Sequence, residues 1–175
     1  LFTSPISSVV EEIKLGDRRI IDYIALRADG DGDVLNKEYS LEEILSLSNK
    51  NIVDILCGSG LWPVIRKRPF SKIPTPGEAP KAIFISAMSS APFSVDLDVV
   101  LDKVSVKYIQ SGINVLSKLT EGDVNLVVPS HKPNSKIEVL KEVVVHTYSG
   151  PHPSGNVGVH ISKINPIKDK NDSVW

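Results

Sequence analysis

Ala82-Ile83-Phe84-Ile85-Ser86-Ala87 opens the stretch that decides the fold: a short apolar run rich in β-formers, too brief to be read as a helix. Val106, Ile109, Ile113, Leu116 and Leu119 then recur at helical spacing and mark one face of a helix that ends near Gly122. Asp123 to Pro129 is a second strand, carried by Val124, Leu126, Val127 and Val128. Ser135 to Lys141 reads as a short helix and Glu142 to Tyr148 as a third strand. A strand–helix–strand–helix–strand order at this spacing predicts an α/β fold with a Rossmann-like parallel sheet.

Working back toward the amino terminus, Leu61 to Pro80 carries prolines at 63, 69, 74, 76 and 80. Proline fixes φ and removes a donor, so this segment is expected to be an extended, stiff loop. Two helices precede it. Ser40 with Glu43 forms a capping box ahead of Leu41, Ile44, Leu45 and Leu47. Asn51 starts a second apolar stripe of Ile52, Val53, Ile55 and Leu56, stopped by Gly58-Ser59-Gly60. Asp29-Gly30-Asp31-Gly32-Asp33 has the letters of a calcium loop, but position 12 counted from Asp29 is Ser40 where a bidentate Glu is needed. It is read as a linker.

The first thirty residues form short β-like runs around the turn Gly16-Asp17: Val9, Val10 and Ile13 before it, Ile20, Ile21, Tyr23, Ile24 and Leu26 after it. Leu1 to Ile6 reads as a strand entered in mid-course, and Asn165-Pro166 with Lys168 to Asp172 as a charged tail; both ends look cut. Thr3 to Ile13 with Gly16-Asp17 resembles the later half of a barrel-sandwich hybrid domain, as in biotinyl and lipoyl carriers, but no lysine stands at the hairpin tip. Half a barrel leaves strand edges unpaired, so this unit is expected to be incomplete. The expected organisation is a partial hybrid β domain over 1–32, a helical and proline-rich connector over 33–80, a Rossmann-like domain over 81–165 and a truncated tail over 166–175.

Composition excludes several classes. The apolar fraction of 41% and charged fraction of 23% are those of a globular chain, and a net charge of −1 gives no footing for a nucleic-acid partner. Cys57 is alone, so no internal disulfide forms, and it lies in an apolar run as a core thiol. The longest apolar stretches, such as Val143 to Val145, fall far short of a membrane span, and no charged start precedes an apolar run as a signal peptide would require. The expectation is a soluble chain.

Two stretches carry candidate chemistry. Between Ser59 and Pro74, Arg66, Lys67, Arg68 and Lys72 are interleaved with Pro69 and Phe70. Such a cluster can hold phosphate or carboxylate, or meet a flat ring; it can equally be a solvated loop anchored by Trp62 and Phe70. Ser149 to Ile161 follows the third strand and is rich in glycine and proline, but its spacing is not G-x-G-x-x-G and no Walker lysine follows. His152 and His160 lack a nearby carboxylate or thiol to complete a metal site, so this stretch reads as a tight turn.

Four motifs, in this order, resemble one family. They are Ser59-Gly60-Leu61-Trp62; Arg68-Pro69-Phe70-Ser71-Lys72-Ile73-Pro74; Ala82 to Met88; and Gly150-Pro151-His152-Pro153-Ser154-Gly155 with Gly158 and His160. The chain resembles an inner fragment of the A subunit of the bacterial Na⁺-translocating NADH:quinone oxidoreductase. The resemblance implies a peripheral subunit on the cytoplasmic face of the inner membrane, docked on membrane-embedded subunits of the same complex. That complex passes electrons from NADH to ubiquinone and exports Na⁺. It implies no redox cofactor in this fragment, the flavins and iron–sulfur centres belonging to partner subunits, and a link to the quinone end. The quinone-binding residues it suggests are Arg66, Arg68, Pro69, Phe70, Ser71 and Lys72, with no catalytic or metal-binding residue, and the fragment alone is not expected to be active. Relatives of similar fold in complex I and Rnf hold FMN on a glycine-rich loop. The equivalent place here, Gly60 to Pro69, carries Trp62, Ile65, Arg66 and Arg68, whose bulk would block a flavin phosphate. The alternative is a cofactor-free scaffold or docking module of an Rnf-type or complex I-like electron-transfer complex.

Overall fold

Alternation along two strands sets the layers of the α/β unit. A computed structural model describes residues 3–30, 37–130, 135–169 and 172–175. In it β3 (Ile83–Ser86), β4 (Val124–Pro129) and β5 (Val144–Tyr148) form a parallel sheet in that order, with Ile83 opposite Val124 and Asn125 opposite Val144. Side chains alternate between faces along a strand. Ile83, Val124, Leu126 and Val128 therefore point to one side, among Ile52, Trp62, Leu101, Leu119, Ile137 and Trp175. Phe84 and Val127 point to the other, with Ala82, Ile161 and Val174. The central strand β4 is buried along nearly its whole length, which is why it reads as a continuous apolar run, whereas the edge strand β5 keeps Val144 and Val145 exposed.

Helices α1 (Leu41–Ser46), α2 (Asn49–Gly58), α3 (Leu97–Lys103), α4 (Val106–Ser117) and α5 (Ser135–Glu138) precede or connect these strands, and α6 (Val157–Ile164) follows β5. The capping box at α1 is formed: Glu43 N–H donates to Ser40 Oγ at 3.2 Å and Ser40 N–H to Glu43 Oε2 at 2.8 Å. Helix α2 begins two residues before Asn51, because Ser48 Oγ accepts from the Asn51 N–H and serves as its cap. Helix α3 is not among the elements the sequence predicts. It carries Leu97, Val100 and Leu101 at helical spacing behind the cap Asp96, but only Leu101 is buried and seven residues make a short stripe.

Two expectations fail. The segment 61–80 is not extended. Lys67 and Lys72 bond each other reciprocally (N···O 2.7 and 3.2 Å), and the turn between them contains a cis Arg68–Pro69 peptide and Ser71 at φ 54°. Nor is the described part of Leu1 to Ile6 a strand. Ser4 Oγ donates to the Ile6 carbonyl at 2.6 Å and pairs with Ser8 Oγ at 2.8 Å, bending the chain before the ladder starts.

β1 (Ser8–Leu15) and β2 (Ile21–Ala28) then form an antiparallel hairpin, with register irregularities after Val10 and Lys14. Val9, Val10, Ile13, Ile21, Tyr23 and Ile24 all remain exposed on it. The linker residues Asp31 to Asp33 lie outside the described residues. Ser173 to Trp175, in the stretch expected to be a tail, are packed into the core. Val174 bridges Ala82 in parallel and Arg68 in antiparallel sense, and the Phe84 N–H donates to the Trp175 carbonyl at 2.7 Å.

Candidate functional site

The cationic stretch is built as a finger with a clamped base. Helix α2 ends at Gly58, and the chain turns at Gly60, where φ of +76° suits glycine and an added Cβ would lie 2.2 Å from Thr3 Oγ1. Trp62 follows in a 3₁₀ turn (Trp62–Val64) and is buried. Its indole N–H donates to the Pro74 carbonyl at 2.8 Å, and its ring meets Trp175 edge-on, centroids 5.7 Å apart at 84°. The 67/72 bond pair closes the shaft, and the Arg68 N–H donates to the Val174 carbonyl at 2.8 Å, fastening the finger to the sheet.

All six expected site residues lie on this finger, consecutive from Arg68 to Lys72 around its turn, with Arg66 on the shaft. Lys67 is committed to Glu78 at 2.7 Å, and that bond holds the Glu78 carboxyl below its ordinary range. The side chains of Arg66, Arg68 and Lys72 have no hydrogen-bonded or ion-paired partner among the described residues. Arg68 is half-buried, Phe70 fully presented.

Two cavities meet beside the finger at Pro69 and Ile167. The smaller, about 260 Å³, is lined by Arg68, Pro69, Gly158, Ile161, Ser162 and Ile167, with Pro166 at its margin. The larger, about 540 Å³, is bordered by Pro69, Phe70, Ile167 and Lys168 together with Asp169 and Asp172. The far wall is held by Lys81, whose Nζ donates to Asp172 Oδ2 at 2.7 Å and to the Pro166 carbonyl at 2.9 Å. Lys81 lowers the Asp172 pKa through that bond, with the Lys168 N–H adding to it. This wall escaped the sequence reading: Ile161, Ser162 and Ile167 belong to α6 and the segment after it. The spacing Val157, Ile161, Ile164 was the available signal.

The glycine-proline stretch after β5 closes on itself. Gly155 N–H donates to Ser90 Oγ at 2.8 Å, and a Cβ at Gly155 would fall 2.3 Å from the Ser90 nitrogen. His152 Nδ1 sits 3.3 Å from the same hydroxyl, and Ser154 Oγ donates to the Gly150 carbonyl at 2.7 Å. His160 is fully buried, with Nε2 at 2.8 Å from the Ser154 carbonyl and its ring 5.1 Å from that of Tyr148. Burial pushes its pKa down, the Ser154 bond opposing in part. His152 and His160 are therefore held by different partners, and no group of metal-ligating side chains occurs among the described residues. Of this stretch only Gly158 and Ile161 reach the groove beside the finger. No helix among the described residues is long and apolar enough to cross a membrane.

Residues 47–175 match the family model described as the NqrA second alpha/beta domain. Over 175 residues, all of the chain, it is 36% identical to the A subunit of the Na(+)-translocating NADH-quinone reductase of Yersinia pseudotuberculosis serotype O:1b (strain IP 31758). Identity is 38% over 174 residues to the protein of the same name from Marinomonas sp. (strain MWYL1), covering 99% of the chain, and 34% over 175 residues to that from Histophilus somni (strain 2336), covering all of it. The chain spans 38% of the length of the first two relatives and 39% of the third.

Proposed function

The chain belongs to the NqrA family, the A subunits of the Na(+)-translocating NADH-quinone reductase, matched through their second alpha/beta domain, and from that premise we propose that it is an inner segment of such a protein, serving the quinone end without a redox cofactor of its own. In this reading it sits peripherally on the cytoplasmic face of the inner membrane, against membrane-embedded subunits of an enzyme that moves electrons from NADH to ubiquinone and exports Na⁺.

One observation carries the quinone assignment: a half-buried guanidinium, Arg68, that lines a largely apolar groove and has no acceptor among the described residues. A partly desolvated cation gains most from an acceptor supplied by a ligand. A quinone head group offers carbonyl oxygens on a flat ring. Pro69 lines this groove and the adjoining cavity, where Phe70 presents a ring face suited to stacking. Negative charge grows on those oxygens as the ring is reduced. A guanidinium held there stabilises that charge until protons neutralise it in the quinol. The clamped base of the finger lowers the ordering cost of binding. Arg66, Ser71 and Lys72 extend the donor set around the turn.

The sheet, with α6 on one face and α3 to α5 on the other, is read as a Rossmann-like domain. The hairpin β1–β2, apolar and exposed, is read as part of a barrel-sandwich hybrid domain.

A second reading, a cofactor-free docking module of an Rnf-type or complex I-like assembly, is favoured by the closed glycine turn. The Gly155 N–H that could meet a phosphate is taken by Ser90. The two readings separate in the assembled complex through Arg68→Gln and Phe70→Leu. The quinone reading expects a raised quinone KM with NADH-to-dye electron transfer intact. Unchanged quinone kinetics in both variants would leave the docking module.

A further inference from the structure

We propose that the finger from Leu61 to Pro74 seats on the surface of an anionic phospholipid bilayer, its cations on the headgroup phosphates and its apolar tips in the acyl boundary. Charge points there first. No acidic residue occurs between Asp54 and Glu78, although the chain as a whole carries −1. Four cations fall in that interval, only Lys67 is neutralised, and Arg66, Arg68 and Lys72 stay unpaired among the described residues. Like charges gathered on one short loop repel one another, and an anionic surface relieves the repulsion.

Exposure points the same way. Val64 is 74% exposed, Phe70 79%, and Leu61 55% on this same loop. A single exposed apolar residue is ordinary. Here they alternate with cations and prolines, so no continuous dry patch forms of the kind that makes the centre of a protein interface, where lysine is depleted. A bilayer surface accepts the mixture, phosphates meeting cations while apolar tips enter below them.

Rigidity adds to both. The Trp62–Pro74 clasp, the 67/72 bond pair and the Arg68–Val174 bond hold the loop in place before contact, so binding orders little. The proposal goes beyond the quinone reading and does not rest on it, since charge, exposure and rigidity are properties of the loop without a bound quinone.

The test is cosedimentation of the 175-residue chain with vesicles of equal parts phosphatidylglycerol and phosphatidylcholine, and with phosphatidylcholine alone, no quinone being added. Binding is expected to the mixed vesicles, to fall steeply with added salt, and to be near background on phosphatidylcholine. Each cation lost near the surface costs roughly fivefold in affinity, so Arg66→Gln with Lys72→Gln should weaken binding about 25-fold. Val64→Ser with Phe70→Ser should weaken it further while leaving the circular dichroism spectrum unchanged, all four positions being exposed. No binding to mixed vesicles, equal binding to both kinds, or binding that neither pair of substitutions reduces would overturn the proposal. The last outcome would point to the exposed hairpin instead.

Discussion

Two tryptophans in contact make a paired test of how the finger is clamped. Trp62 and Trp175 are both buried and meet edge-on, yet only Trp62 has an acceptor for its indole N–H, the Pro74 carbonyl. The buried N–H of Trp175 has none among the described residues. Replacing either with Phe removes similar ring area, about two CH₂ equivalents, or roughly 1–2 kcal/mol. Trp62→Phe also orphans a buried carbonyl, at about 1–3 kcal/mol more. Trp175→Phe instead removes a buried donor that was already unsatisfied, which offsets much of its ring loss. The two variants should therefore differ by about 2 kcal/mol, Trp62→Phe being the weaker, or about 4–8 °C in Tm for a chain of this size. Urea unfolding followed by far-UV circular dichroism reads the difference, with equal m-values as the condition for comparing midpoints. Amide exchange at Lys67 and Lys72 should quicken in Trp62→Phe alone, because the clasp closes the base of their bond pair. Equal losses, or a larger loss in Trp175→Phe, would refute the reasoning.

The remaining predictions concern a cap and a buried imidazole. Ser40→Ala removes one half of the capping box at α1 and should cost about 1 kcal/mol, read as a lower urea midpoint; Ser40→Asp should restore most of it. His160 is held neutral by burial, with its pKa depressed below the ordinary histidine value of about 6.5. The unfolded chain then binds a proton that the folded chain resists, so this contribution to stability is complete above pH 6.5 and is lost as pH falls below it. The urea midpoint should therefore drop between pH 7 and about 5.5. His160→Gln should flatten that part of the profile, and an unchanged slope in the variant would assign the dependence to another group.

Much of the fold was legible because its central strand is buried and its longest helix keeps a full apolar stripe. Ala82 to Ala87 and Asp123 to Pro129 are largely apolar runs of strand length, Glu142 to Tyr148 is a β-branched run, and the stripe from Val106 to Leu119 has full helical period. The capping box was legible because it is local, two side chains three residues apart. What escaped depends on distant contacts. Five prolines suggest an extended chain, but the reversal between Lys67 and Lys72 depends on bonds to Val174 and Pro74 that no local pattern announces. The polar letters before Ser173 look like a solvated tail, yet Lys81, 91 positions from Asp172 in sequence, bonds that carboxylate. The site was half legible. The cations and Phe70 stand out by composition, whereas Ile161, Ser162 and Ile167 become its opposite wall only once α6 is packed. The glycine turn after β5 suggested phosphate by its letters, and Ser90, sixty-five residues earlier than Gly155, takes the donor instead.

The quinone assignment at the finger is tested most directly by photo-crosslinking. A ubiquinone analogue with a photoreactive group on its head ring would be activated in the assembled complex and the labelled peptides of this chain mapped. Label is expected on peptides containing Arg66 to Lys72 or Gly158 to Ile167, suppressed by excess unlabelled ubiquinone and reduced in Arg68→Gln. Competable label that falls entirely outside these two segments would contradict a quinone site at the finger.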